Sequence, residues 1–140
     1  MASIRVLAEL PNLVVIRRFV EETATALKAD RDAIDDMVQA VDESATNIIV
    51  HGYRGRSGNI EIEVAQEEDM LVVRLCDHAP HFDPTRAPPP DLTLPLERRY
   101  FGGLGIHLIR QFTDSATYRT TSEGGNELTL RKKAKGETNK

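Results

Sequence analysis

Glu43, Asn47 and His51 recur at four-residue intervals in the stretch Val41-Asp42-Glu43-Ser44-Ala45-Thr46-Asn47-Ile48-Ile49-Val50-His51. At about 3.6 residues per helical turn they share one polar stripe. A glutamate one turn from an asparagine can act as a general base beside a metal ligand. The same spacing describes the solvated face of an amphipathic helix, so the stripe alone does not decide between the two. What raises the chemical reading is the order of the groups that follow. Asp77 ends a hydrophobic strand pattern, where a carboxylate can accept from an amino group of a ligand base or cap a turn. Gly102-Gly103-Leu104-Gly105 then opens a helical pattern. Glycines there let backbone N–H groups approach an anion, with the peptide dipoles favouring negative charge, or they act as a hinge.

Other groups carry weaker signals. Arg98 and Arg99 beside Glu97 could reach a terminal phosphate when a loop closes, or form a solvated charge cluster. His78 and His81 flank Pro80 with a spacing that can bind a metal, but further ligands are lacking. Asp83 before Pro84 reads as a turn residue and His107 as a packed or partly exposed member of an apolar helix. Cys76, of opposite parity to Asp77, is expected to pack in the interior. The chain has no GxxxxGK[ST], GxGxxG, CxxC or HxxxH spacing.

The elements that must position these groups follow from periodicity. Ile4, Val6 and Ala8 alternate with Arg5, Leu7 and Glu9 as a short strand. Leu13, Ile16, Val20, Ala24 and Leu27 predict an amphipathic helix over about 11–28, with Pro11 in its first turn. Asp30 or Asp32 caps a second helix whose apolar arc is Ile34, Met37, Val38, Val41, Ala45, Ile48 and Ile49. Gly52, Gly55 and Gly58 end that pattern. Ile60, Ile62 and Val64 then alternate in one strand, and Met70 to Asp77 form another, with Leu71, Val73, Leu75 and Asp77 on one face. Residues 78–102 lack a period and contain six prolines, from Pro80 to Pro95. So long a loop in a compact domain is disordered or works as a lid. Residues 116–120 and 127–131 read as two strands joined through Gly124 and Gly125, and Lys132 to Lys140 as a frayed basic end. Hairpin strands with grouped helices predict an α+β fold, a two-layer sandwich with helices on one face of a mostly antiparallel sheet.

Composition bounds the function. With 140 residues the chain suits one domain, and 18 Lys and Arg against 22 Asp and Glu, a net charge of −4, give no electrostatic reason to expect nucleic acid or an anionic membrane as partner. One cysteine excludes an internal disulfide and fits a reducing cytosol. No stretch approaches the roughly 18 apolar residues of a membrane span, and the N-terminus lacks a signal-peptide core. A cytoplasmic location is the expectation.

In their order, these pieces resemble the GHKL (Bergerat-fold) superfamily of histidine kinase-like ATPases, and within it the small anti-sigma-factor serine/threonine kinases. The first family box is similar to residues 43–51, the second to Asp77-His78-Ala79-Pro80-His81-Phe82-Asp83-Pro84, and the third to Gly102-Gly103-Leu104-Gly105-Ile106-His107-Leu108-Ile109-Arg110. Gly124-Gly125-Asn126-Glu127-Leu128-Thr129-Leu130 resembles the closing strand. The resemblance implies a single ATP-binding domain over 1–133, an ATP lid at 84–102 and a flexible basic tail at 134–140. It implies ATP and Mg²⁺ as cofactors, with Asn47 as metal ligand, Glu43 as general base and Asp77 as reader of the adenine amino group. Gly103, Leu104 and Gly105 would line the phosphate site and Arg98 or Arg99 would serve as lid arginine. A sigma factor and an anti-sigma-factor antagonist are the implied partners, exchanged by partner switching, and homodimerisation is left open. The alternative is a non-catalytic, nucleotide-dependent binding module of the same fold. One position departs from the pattern: Ala79 stands where the second box usually has glycine, so a methyl group is expected to narrow the adenine pocket or weaken binding.

Overall fold

The computed structural model describes residues 1–81, 85 and 108–135. Strand β1 (Ala2–Leu7) leads through a single turn of 3₁₀ helix at Leu10–Asn12 into helix α1 (Leu13–Ala26), followed by helix α2 (Arg31–Asn47). Pro11 stands in the 3₁₀ turn, where its missing N–H costs nothing. Asp30 occupies the N-cap position of α2 in extended conformation, although its side chain makes no capping hydrogen bond. Strands β2 (Asn59–Glu67), β3 (Met70–Asp77), β4 (Ser115–Thr120) and β5 (Asn126–Lys133) complete a five-stranded sheet of order β1-β2-β3-β5-β4. Every neighbouring pair is antiparallel. The fold is thus the α+β sandwich that the hairpin pattern predicts.

Alternation explains the layer between helices and sheet. Ile60, Ile62 and Val64 of β2, Leu71, Val73 and Leu75 of β3, and Leu128 and Leu130 of β5 are buried on one face. Ile16, Val20 and Ala24 of α1 and Ile34, Met37, Val41 and Ala45 of α2 close on them from the other side. Arg17 reaches Asp42 at 2.6 Å and joins the two helices at the edge of that core. Among the described residues, no helix is long and apolar enough to cross a membrane.

Three local expectations need correction. Cys76 does not enter the core: it is half-buried on the helix-free face, where its register partners are Glu61 and Glu127. Burial and then the neighbouring carboxylates, Glu127 first, push its thiol up to about 11, so it is a poor nucleophile. Lys132 and Lys133 are not frayed but belong to β5. Ala134 is buried, donates to the Asp69 carbonyl at 2.9 Å, and accepts from the Asp30 amide at 2.7 Å. The α-helical stripe also ends early, because residues Ile48–Tyr53 form a π-helical turn rather than continuing α2. That turn closes with the Arg54 amide bonding the Ile49 carbonyl five residues back.

Tyr53 fastens the π turn to the sheet. Its hydroxyl donates to the Asn59 carbonyl at 2.7 Å and accepts from the His78 amide at 2.9 Å, so one buried ring ties the start of β2 to the end of β3. Gly58 makes room for it, since a Cβ there would lie 2.1 Å from the Tyr53 ring. Gly58→Ala is therefore expected to cost about 2–3 kcal/mol by overpacking, read as a lower urea midpoint at unchanged m-value.

Candidate functional site

The register of β3 and β5 sets two polar residues side by side at the end of the apolar layer. Asp77 pairs with Asn126 across the strands, and both share the parity of the core residues Leu75 and Leu128. They are 6% and 5% exposed, so each must be satisfied inside the protein. The Asn126 amide nitrogen donates to Asp77 Oδ1 and to the Ala79 carbonyl, both at 2.8 Å, and the Ala79 amide donates to the same Oδ1 at 2.9 Å. Asn126 Oδ1 accepts from the Tyr118 hydroxyl and lies 2.9 Å from His81 Nδ1. Burial pushes the Asp77 carboxyl above its ordinary range, opposed by the bonds from Asn126 and Ala79 and by the nearby His78 and His81.

Asp77, Ala79 and Asn126 line one pocket with Ser44, Asn47, Ile48, Gly52, Pro80, Ile109, Tyr118 and Leu128. The end of α2 and the π turn supply one wall, the ends of β3 and β5 another, and the helical residues 108–112 contribute Ile109. Ser44 is sealed in, its hydroxyl returned to the Ala40 carbonyl at 2.7 Å. Asn47 differs. Its Nδ2 is buried and has no hydrogen-bond partner among the described residues, at a cost that a ligand contact would remove. A half-turn of the side-chain amide presents Oδ1 instead, an oxygen donor suited to a hard cation. The residues present therefore fit a metal-bearing polar ligand.

Of the residues expected from sequence, the structure brings Asn47 and Asp77 into the same pocket. Glu43 stands one turn earlier on α2, half-buried and outside the pocket wall; burial, and secondarily Asp42, raise its carboxyl above the usual range. His51 lies in the π turn, also outside that wall, with its imidazole lowered by burial and then by Arg54. Arg98, Arg99, Gly103, Leu104 and Gly105 lie outside the described residues, as does most of the expected lid. Ala79 is 4% exposed and belongs to the pocket wall. Gly52 faces it, and a Cβ added there would sit 3.1 Å from the Ala79 Cβ. The π turn thus offers a hydrogen atom where the segment after β3 offers a methyl group.

Sequence reasoning passed over Asn126 and Tyr118. The signal for Asn126 was present, since in Asn126-Glu127-Leu128-Thr129-Leu130 it shares the parity of two leucines, as Asp77 does with Leu75 and Val73. Tyr118 lies opposite Leu128 and diagonal to Asn126, a cross-strand relation that needs the register.

Residues 6–132 match the model of the histidine kinase-like ATPase domain. The chain is 30% identical over 116 residues to a protein named serine-protein kinase RsbW from Bacillus cereus (strain Q1), covering 80% of this chain and 72% of that one. It is equally similar, at 30% over the same shares, to the serine-protein kinase RsbW of Bacillus thuringiensis subsp. konkukian (strain 97-27). Among solved structures, the RsbU and RsbW domains of a Mycobacterium tuberculosis protein align at a TM-score of 0.61 with 16% identity, over 95% of this chain and 32% of that one. At that identity the likeness is one of fold, and the chain spans about a third of the solved protein.

Proposed function

Because the chain belongs to the histidine kinase-like ATPase family, in the branch of the anti-sigma-factor serine/threonine kinases, we propose that it binds Mg-ATP and phosphorylates a serine or threonine of a small antagonist protein. In its other state it holds a sigma factor, so that phosphorylation and sequestration alternate between partners. The observation that carries the reading is the pairing, within one pocket, of a buried Asp77 fixed at Oδ1 with an Asn47 whose buried amide nitrogen has no partner among the described residues.

Each residue then has a role that suits its surroundings. Asp77 accepts from the exocyclic amino group of adenine, since a buried carboxylate anchored through one oxygen is a rigid acceptor through the other. Asn47 would hold Mg²⁺, whose charge neutralises phosphate oxygens during transfer. Glu43 accepts the proton of the attacking hydroxyl, and its upward-shifted carboxyl is a stronger base than an exposed one. Gly103, Leu104 and Gly105 are assigned to the phosphate site, and Arg98 or Arg99 to charge on the transferred group, by the family resemblance. Positioning and charge neutralisation suffice for phosphoryl transfer, which is consistent with a site holding few reactive side chains.

The test is capture of partners from a lysate on the immobilised chain with ATP and Mg²⁺, followed by mass spectrometry of the bound proteins and their phosphosites. The expected result is a small protein carrying a new phosphoserine or phosphothreonine, together with a sigma factor. Nucleotide-dependent capture with no phosphate transferred points instead to the non-catalytic binding module.

A further inference from the structure

The orientation of the Asn126 amide is forced. Its Nδ2 lies 2.8 Å from two oxygens, Asp77 Oδ1 and the Ala79 carbonyl, neither of which can donate to it when Asp77 is ionised. Reversing the amide would set a third oxygen against those two. Oδ1 of Asn126 must then face Tyr118 and His81, so the Tyr118 hydroxyl donates, and the ring nitrogen of His81 2.9 Å away carries a hydrogen on Nδ1. The donors and acceptors run in one direction, from Tyr118 and His81 through Asn126 to Asp77.

That direction has a consequence for Asp77. Both hydrogen bonds it accepts from described residues end on Oδ1, from Asn126 and from the Ala79 amide. Together they fix the plane of the carboxylate and leave Oδ2 as the oxygen to which no described residue donates. On the reading that this pocket takes ATP, we propose that the Tyr118–Asn126–His81 relay sets base selectivity: by locking the Asn126 amide, it aims Oδ2 of Asp77 as an acceptor for an amino group and against a carbonyl. Asn126 is a positioning residue here, acting through Asp77. Tyr118 and His81 act one step further back, and His81 does so from a position outside the described pocket wall.

The relay separates two nucleotides that differ along one edge of the base: at C6, and at N1, which carries a hydrogen in inosine and a lone pair in adenine. Inosine triphosphate carries a carbonyl where ATP carries the amino group, so it presents an acceptor to an acceptor. Equilibrium binding of Mg-ATP and Mg-inosine triphosphate to the full chain, read by calorimetry, is expected to favour ATP by about 100-fold. Asn126→Ala frees the carboxylate to rotate; ATP affinity should fall about tenfold while inosine triphosphate changes little, so the preference collapses. Tyr118→Phe removes one hydroxyl and keeps the ring; the preference should drop about threefold, which decides the matter if Asn126→Ala does not fold. Asn126 acting only as packing would lower both affinities by one factor and leave their ratio intact, and that result overturns the proposal. Failure of the unsubstituted chain to bind ATP saturably is a separate outcome, which removes the nucleotide reading itself together with the role of the relay.

Discussion

Asp77→Asn is expected to reduce ATP affinity on the order of 100-fold or more while leaving the chain folded. The size of the effect follows from which atoms Asp77 uses. The asparagine oxygen can still accept from the Asn126 amide and the Ala79 amide, the two bonds that Oδ1 accepts now. Its nitrogen then stands where Oδ2 stood, so a donor meets the amino group of adenine. Stability should hold or rise. Burial raises the Asp77 carboxyl in the folded protein, so its ionisation opposes folding, and that opposition grows as pH rises through the folded-state value. A neutral isostere lacks that contribution, which a Tm at neutral pH equal to or above that of the unsubstituted chain would reveal. Calorimetric titration gives the affinity, and binding unchanged by this substitution would sink the nucleotide assignment.

The second large effect belongs to Glu43. Glu43→Gln keeps the size and shape of the side chain but cannot take up a proton, so transfer to the cognate antagonist should fall about 10²- to 10⁴-fold with ATP affinity preserved. The pH dependence carries a sign. Burial, with Asp42 as the lesser contribution, raises the Glu43 carboxyl, so the transfer rate should fall on the acid side at a pH above that of an unshifted glutamate. The rate climbs again as that group ionises. A single-turnover assay with γ-phosphate-labelled ATP, run across that range, measures both. Transfer by the glutamine variant at the original rate would remove Glu43 as the base.

How far the chain could be read in advance depended on whether the information was local. The parity of Met70–Asp77 is a property of one strand, and it correctly placed Asp77 with Leu71, Val73 and Leu75 on the buried face. The helices and all five strands were legible for the same reason, within a few residues at their ends. The partners of Asp77 were not legible, because Asn126 lies 49 residues away and only strand pairing brings it opposite. Cys76 was misplaced by assuming that the face opposite Asp77 is also interior, whereas the helices cover one side of the sheet and leave Cys76 beside Glu61 and Glu127. The π turn escaped notice because Asn47 and His51 keep an α-like interval across the point where the backbone widens. Lys132 and Lys133 resemble a solvated tail in composition, yet β3 supplies backbone partners for them.

The contact between Gly52 and Ala79 links the two positions in sequence space. A chain with glycine in place of Ala79 has room for a side chain at 52, and a chain with alanine at 79 does not, unless the π turn retreats. The departure at Ala79 is thus half of a pair whose other half is the absence of a Cβ at Gly52. Among relatives the crowded combination, a side chain at 52 with alanine at 79, should be avoided, so that Gly52→Ala alone would be read as damage here, and Gly52→Ala together with Ala79→Gly as little change.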